Sequence, residues 1–226
     1  MMEVMLDKNK MVDKNSHDYH RVTRITHRLM QSNLDIKLDS PEFYITTGRS
    51  LQAFSLARHI ILSKGTLDMW TDDQLAFIIG HEMSHHALDH HMENMSWLCV
   101  EMVVTVMVII NVISRRVFML AIIWIFFKPF KLLVSYPMRR MGELEADDLG
   151  MEMMSRACFD LREVVMFWQV IEFFKPMGRG MMAMVSDHPS HMQRKERMLE
   201  RLQEMVALRN EAGCQDLDDD DILIWR

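Results

Sequence analysis

Cysteine, basic charge and repetition are all scarce in this sequence of 226 residues. Its three cysteines, Cys99, Cys158 and Cys214, are far apart and form no C-x-x-C pair. We therefore expect free thiols rather than a disulfide framework or a thiolate zinc site. Acidic residues outnumber basic ones and give a net charge of −6, which offers no indication of nucleic-acid binding. Internal repeats, a glycine-rich phosphate loop and a low-complexity linker are also absent.

The most informative stretch is residues 81–85, an H-E-x-x-H pattern inside a run of helical periodicity, 74–95. Side chains four residues apart lie on one face of a helix, so His81 and His85 can bind one metal ion. Glu82 lies about 100° further round the helix, beside the ion, where a general base would stand. The pattern predicts a zinc centre. The alternative is a histidine-rich, solvated helix face.

Residues 97–134 form a second landmark, because the runs 102–114 and 117–127 carry no charge. Neither run reaches the roughly 20 apolar residues that a membrane span needs, and Arg115-Arg116 would lie in the middle of a single span. The pattern favours an apolar helical hairpin associated with a membrane. Two buried helices of a soluble bundle, or one tilted span plus an interfacial helix, are the alternatives.

The remaining periodicity predicts a mainly helical α+β fold. Residues 19–30 have the pattern of an amphipathic helix that packs on the domain or, alternatively, on a membrane surface. Alternating apolar residues over 42–47 and 52–62 predict two or three strands in a small antiparallel sheet beside the metal helix. Three further helices are predicted over residues 141–157, 161–174, where the aromatic residues are expected in the core, and about 190–210.

Two histidines need a third protein ligand to complete a catalytic zinc site with one open position. Glu143 is the best candidate, because Glu143 and Asp147 lie one turn apart on a helix beyond the apolar insertion. Glu143 can bind the metal, while Asp147 can accept a hydrogen bond from a ligand histidine and fix its tautomer. His86 and His90, also four residues apart, are an alternative place for a second metal. Glu145 is expected on the surface.

Three segments carry a resemblance to a known family: Gly80 with the H-E-x-x-H motif, Arg140-x-x-Glu143-x-x-Ala146-Asp147, and His188-Pro189 followed by Arg194. Together they resemble the membrane-linked gluzincins, which include the CaaX prenyl protease and the HtpX-type heat-shock protease. The interrupted insertion and residues 160–169 and 187–191 are most similar to the mitochondrial inner-membrane metalloendopeptidases of that family, whose activity overlaps the m-AAA protease. The resemblance covers roughly residues 16–213.

The resemblance implies a role for each matching residue in the metal site. His81, His85 and Glu143 would hold one catalytic Zn²⁺. Glu82 would be the general base, and Asp147 would support a ligand histidine.

Further roles are implied for residues around that site. Arg194 would be a structural or electrostatic partner of the acidic helix. His188 would face the metal, where it either stabilises the oxyanion or shields the zinc at rest. Gln52, Ala53 and Phe54 would form the edge strand that receives substrate, although the family usually has Asn at position 52.

Motif and resemblance together predict a zinc metalloendopeptidase domain over residues 16–213, after a disordered segment (1–15) and before an acidic tail (214–226). Its partners would be membrane lipid and membrane-anchored protein substrates, cut at the mitochondrial inner membrane in quality control and stress. A homo-oligomer is left open. The alternatives are a membrane-associated assembly protein with an impaired zinc site, and an interfacial helical protein that binds metal incidentally.

The N-terminus departs from the family pattern. Residues 1–15 are charged, and they lack both the apolar core of a signal peptide and the arginine-rich, acid-poor character of a mitochondrial presequence. The upstream membrane region of the family has no counterpart either. A fragment, a truncated gene model and a shortened paralogue are the alternatives, and import and membrane topology stay open.

Overall fold

The computed structural model describes residues 11–56, 58–113, 136–174, 191–215 and 217. The helices are α1 (His17–Gln31), α2 (Lys64–Met69), α3 (Asp72–Ala87), α4 (His90–Ile113), α5 (Tyr136–Arg156), α6 (Arg162–Phe174) and α7 (His191–Glu211). The strands are β1 (Glu42–Thr46), β2 (Ala53–Leu56) and β3 (His59–Ser63). The prediction of a mainly helical α+β fold is confirmed.

Helix α1 is amphipathic and packs its apolar face into the core. Val22, Ile25 and Leu29 on that face are buried. On the basic face, Arg21 donates to Asp72 at 2.5 Å and to two backbone carbonyls at the end of α2. The helix therefore packs on the domain, as the first of the two alternatives predicts, and Arg21 has its partners within the protein.

The three strands form one mixed sheet in the order β1-β3-β2. β2 and β3 are antiparallel, but β1 is parallel to β3, from Glu42 opposite His59 to Thr46 opposite Ser63. The prediction of an antiparallel sheet is therefore wrong for β1. Alternating apolar residues indicate which face of a strand is buried and not its direction. Here the segment between β1 and β2 carries the chain to the far side of β3, so β2 is an edge strand of the described sheet.

The helical run over residues 74–95 is divided between two helices. α3 has Leu88 as its C-cap, and α4 begins at His90. Between them Asp89 has a φ of 55°, in the left-handed region that Asp adopts more readily than most residues. The periodicity predicts one continuous helix, because a two-residue break hardly alters the spacing of apolar residues.

Helices α5, α6 and α7 complete the core around α3. Phe167 and Trp168 of α6 are buried, as predicted, but Phe173 near the end of the helix is 82 % exposed, so the prediction of an aromatic core is wrong for that residue. Asp148 of α5 pairs with Arg197 and Arg201 of α7 at 2.7 and 2.9 Å. These ion pairs hold α7 along α5, beside the metal helix.

A disulfide joins Cys158, in the turn after α5, to Cys214, just beyond α7, with 5.4 Å between the Cα atoms. The expectation of free thiols is wrong for this pair. The packing of α7 on α5 brings together two cysteines that are 56 positions apart, and their spacing in the sequence gives no sign of it. Cys99 is free and exposed on α4.

Only the first part of the predicted apolar hairpin falls in the described residues. It belongs to α4, where Met102, Val103, Val106 and Ile110 are among the exposed apolar side chains. Residues 114–135 lie outside the described part of the chain. Within the described ranges, no helix is long and apolar enough to cross a membrane. The hairpin stays a prediction.

Candidate metal centre

Helix α3 carries both histidines of the H-E-x-x-H motif. A capping box fixes its start, since Thr71 accepts from the backbone N–H of Gln74 and the Gln74 side chain accepts from the backbone N–H of Thr71. One helical turn separates His81 from His85, and their Nε2 atoms lie 3.1 Å apart. The two rings therefore present their Nε2 lone pairs to a common point.

Glu143 reaches the same point from α5. Its Oε2 lies 3.7 Å from Nε2 of His81, and its Oε1 lies 3.7 Å from Nε2 of His85. The helices can approach because Gly80 and Gly150 meet where they cross. A Cβ built on Gly150 would lie 2.9 Å from the backbone nitrogen of His81. Helix packing, and not the motif alone, thus completes the set of donors.

The three donor groups fit a zinc ion. In a tetrahedral site with bonds of about 2.0–2.2 Å, ligand atoms lie roughly 3.3–3.6 Å apart. The two histidine nitrogens lie 3.1 Å apart, and each lies 3.7 Å from a different carboxylate oxygen of Glu143, close to that range. The side chains of His81, His85 and Glu143 are 12, 19 and 17 % exposed, so the donor groups are not sealed from solvent. No other group of His, Cys, Asp and Glu in the described ranges gathers in this way.

Asp147 and Arg194 support His81. Nδ1 of His81 lies 2.9 Å from Oδ1 of the buried Asp147, and a hydrogen bond from Nδ1–H leaves Nε2 for a metal. Arg194 donates twice to Asp147, at 2.6 and 2.5 Å, and lies 3.2 Å from Glu143. Burial acts to raise the pKa of Asp147, but Arg194 and His81 outweigh it and lower that pKa, so Asp147 stays ionised. His188 lies outside the described residues.

The two histidines differ in their affinity for protons. Burial, followed by the charge of His81, lowers the pKa of His85 to about 3. Burial acts in the same direction on His81, but the hydrogen bond and the charge of Asp147 outweigh it and raise the pKa. A metal binds the neutral imidazole, so a proton competes with the metal for His81 far more than for His85.

Glu82 is buried beside the donors and contacts β2. Ser55 of β2 lies near its carboxylate and favours the charged form. Burial raises the pKa of Glu82 against the opposing effects of the charge of His81 and of Ser55. A carboxylate with a raised pKa can take up a proton and release it again near neutral pH.

The segment expected to receive substrate lies next to Glu82. Ala53 and Phe54 belong to β2, and Gln52 immediately precedes that strand. The backbone N–H of Gln52 donates to Thr66 Oγ1 at 2.9 Å, and its carbonyl accepts from the backbone N–H of Ser63 at 3.0 Å. The backbone of Gln52 is thus bound within the fold, on the side of β3.

Two contacts at the site were not predicted, because no motif or periodicity in the sequence indicates them. Ser55, which lies near Glu82, belongs to a short strand without a motif. Nδ1 of His90 lies 2.9 Å from Nδ1 of His85, and Nε2 of His90 lies 3.4 Å from Glu145, which is otherwise exposed, as expected. Only a signal for the helix break before His90 could have predicted this second contact.

Comparisons with known proteins agree with this geometry. The model of Peptidase family M48 matches residues 16–202. "Metalloendopeptidase OMA1, mitochondrial" of Bos taurus is 29% identical over 95% of this chain and 43% of the bovine protein. The protein of that name from Danio rerio is 30% identical over 93% of this chain and 46% of its own length. "Mitochondrial metalloendopeptidase OMA1" of Saccharomyces cerevisiae is 28% identical over 79% of this chain and 48% of the yeast protein. The chain thus spans less than half the length of these three relatives.

Proposed function

The chain belongs to Peptidase family M48, and we propose that it is a zinc-dependent endopeptidase of mitochondria. One observation carries the proposal: donor atoms of His81, His85 and Glu143 converge within 4.8 Å of one another, with Glu82 buried beside them. Metal ligands and a carboxylate base are the parts that metal-assisted hydrolysis of a peptide bond requires. The names of the relatives support the reaction class and the organelle.

The roles of the residues follow from their positions. When bound, zinc supplies Lewis-acid chemistry that makes water a nucleophile at neutral pH. Glu82 takes a proton from the attacking water and passes it to the leaving amine, and its raised pKa suits both transfers. Asp147 holds the proton on Nδ1 of His81, so that Nε2 faces the metal. By resemblance, His188 stabilises the oxyanion or covers the site at rest.

The edge strand β2 supports an extended peptide as substrate. Backbone groups of alternate residues in a strand point to the same side. Because those of Gln52 point to β3, those of Ala53 point to the open edge. A peptide that pairs along this edge runs past Glu82, and the exposed side chain of Phe54 offers it an apolar contact.

We also propose that the substrates are membrane-anchored proteins, cut at the mitochondrial inner membrane during quality control and stress. The exposed apolar side chains along α4 support a location beside lipid. The charge-free runs over residues 102–114 and 117–127 support the same location. We propose a structural role for Arg194. It pairs with Asp147 and Glu143 and so holds α7 against the metal site.

The test is metal content and proteolysis of the purified chain in detergent. We expect about one tightly bound zinc per chain, and cleavage of casein or a membrane-anchored reporter that stops with a zinc chelator and returns with added zinc. His85→Ala is expected to lose both zinc and cleavage. Tight zinc binding without any cleavage would contradict the enzyme and favour a zinc-binding assembly protein, whereas absence of zinc would contradict both.

A further inference from the structure

We propose that His90 is a positioning residue for the metal ligand His85. In this arrangement His90 accepts a hydrogen bond from Nδ1–H of His85 and holds that ring with Nε2 toward the metal. The inference rests on the proposed function, because it assigns a further residue to the same zinc site. It starts from a contact between two ring nitrogens, Nδ1 of His85 and Nδ1 of His90, which lie 2.9 Å apart.

The direction of this hydrogen bond follows from the chemistry of metal binding. Nε2 of His85 faces Glu143 and His81 and must be unprotonated to bind a metal. A neutral imidazole then carries its proton on Nδ1, so His85 donates and His90 accepts. With Nδ1 as an acceptor, His90 carries its own proton on Nε2, which lies 3.4 Å from Oε2 of Glu145. All four ring nitrogens of the pair therefore have a partner: Nε2 of His85 faces the metal position, the two Nδ1 atoms share a hydrogen bond, and Nε2 of His90 faces Glu145.

The contact exists only because the helix is broken. Residues five apart in a continuous α-helix point about 140° away from each other, so His85 and His90 could not meet on one. After α3 ends, the backbone N–H of Asp89 donates to the carbonyl of His86 at 3.2 Å, and Asp89 takes its left-handed φ of 55°. The chain turns there and directs the His90 side chain back toward His85. The same break places His86 and His90 in different helices. The alternative second metal site needs both on successive turns of one helix, so the break argues against it.

His90 is buried and closely packed. It is 7 % exposed, and a buried imidazole needs partners for its polar atoms. Its ring packs on Gly142 of α5, where an added Cβ would lie 3.6 Å from three ring atoms. α5 thus supports both ligand histidines: Asp147 binds His81 directly, and Glu145 contacts His85 through His90.

Zinc affinity measured by competition with a chromophoric chelator tests the proposal on the full chain. His90→Leu removes the acceptor at similar volume, and we expect it to weaken zinc binding about 10–100-fold. His90→Asn places an amide oxygen near the position of Nδ1, so we expect it to keep an affinity near wild type. His86→Ala is the matched control, because His86 neighbours His85 on another side of the helix, and we expect no change.

A second readout separates positioning from folding. The absorption bands of the Co²⁺-loaded protein report ligand geometry, and they should shift in His90→Leu but not in His90→Asn, while thermal unfolding of the metal-free variants stays similar. Wild-type affinity in His90→Leu, or an equal loss in His90→Asn, would overturn the proposal. A wild-type chain that binds zinc but cleaves nothing would overturn the proposed function and leave this inference standing.

Discussion

Gly80 of α3 and Gly150 of α5 touch backbone to backbone, and this contact sets the distance between the helices that carry the metal donors. A Cβ on Gly80 would lie 3.2 Å from the carbonyl oxygen of Gly150, and a Cβ on Gly150 would lie 2.9 Å from the backbone nitrogen of His81. The main chains are therefore about as close as they can be. This closeness allows the carboxylate of Glu143 to reach both imidazoles.

Gly150→Ala should separate the two helices and weaken the site. Overpacking at a tight contact typically costs about 1–3 kcal/mol, so we expect a lower free energy of unfolding and a weaker zinc affinity. Gly48→Ala, in the loop after β1, is the control. A Cβ at Gly48 meets only the side-chain oxygens of Thr46 and Ser50, at 3.7 and 3.8 Å, so we expect little change in either quantity. Urea unfolding and chelator competition measure both effects; equal behaviour of the two variants would refute this role for Gly150.

Asp147→Asn should lower both zinc affinity and stability. The change removes the charge that holds His81 in its tautomer and leaves the buried Arg194 with less compensation. We expect zinc binding to weaken about 10–100-fold and the free energy of unfolding to fall by about 3 kcal/mol. Asp148→Asn, which breaks ion pairs to the same helix away from the metal, should cost about 1 kcal/mol or less. Unchanged zinc affinity in Asp147→Asn would contradict the assignment.

The ionised carboxylate of Asp72 should stabilise the fold, and this stabilisation should disappear when the carboxylate is protonated at low pH. Burial acts to raise the pKa of Asp72, but the hydrogen bond and charge of Arg21, together with Arg24, lower it. Because the folded-state pKa lies below the unfolded value of about 3.9, this stability is fully present above pH 4 to 5. It is lost as the pH falls through the folded pKa.

The measurement is thermal unfolding of Asp72→Asn and wild type between pH 2 and pH 7. We expect a destabilisation of about 1 kcal/mol near neutral pH, which shrinks toward zero below pH 4. Asp68→Asn is the control, a nearby exposed carboxylate paired with Lys64. A deficit that stays constant down to pH 2 would show that the charge of Asp72 is not its source.

The disulfide between Cys158 and Cys214 should stabilise the packing of α7 on α5. It closes a long loop, with a sequence separation of 56, which corresponds to roughly 4 kcal/mol in chain entropy. We expect the double variant Cys158→Ser/Cys214→Ser, and wild type with a reductant, to unfold at lower urea concentration. Cys99→Ser should unfold at the wild-type concentration, because Cys99 is free and exposed. Identical midpoints with and without reductant would contradict the pairing.

Local patterns predict much of this molecule. The spacing of His81 and His85 needs only a helix, and the amphipathic pattern of α1 is enough to place its apolar face in the core. Glu143 and Asp147 lie far along the chain, beyond the apolar insertion. Their pattern is common on solvated helices, and only its combination with the H-E-x-x-H motif makes Glu143 and Asp147 candidates; the packing of α5 on α3 then brings them to the two histidines.

Features that depend on chain reversal or helix packing escape such patterns. The parallel pairing of β1 with β3 depends on where the connecting segment passes, and the Cys158–Cys214 bond depends on how α7 lies on α5. The contact of His90 with His85 depends on one left-handed residue, Asp89. None of these three leaves a periodic trace in the sequence.

In the proposed mechanism, Glu82 performs the proton transfers of zinc-dependent proteolysis. Cleavage of a reporter peptide by Glu82→Gln and by wild type, each with its zinc content determined in the same preparation, tests it most directly. Glutamine has nearly the shape of glutamate but cannot take up a proton. We expect a zinc content equal to wild type and a loss of cleavage of about 10²-fold or more. Cleavage at the wild-type rate with zinc bound would contradict it.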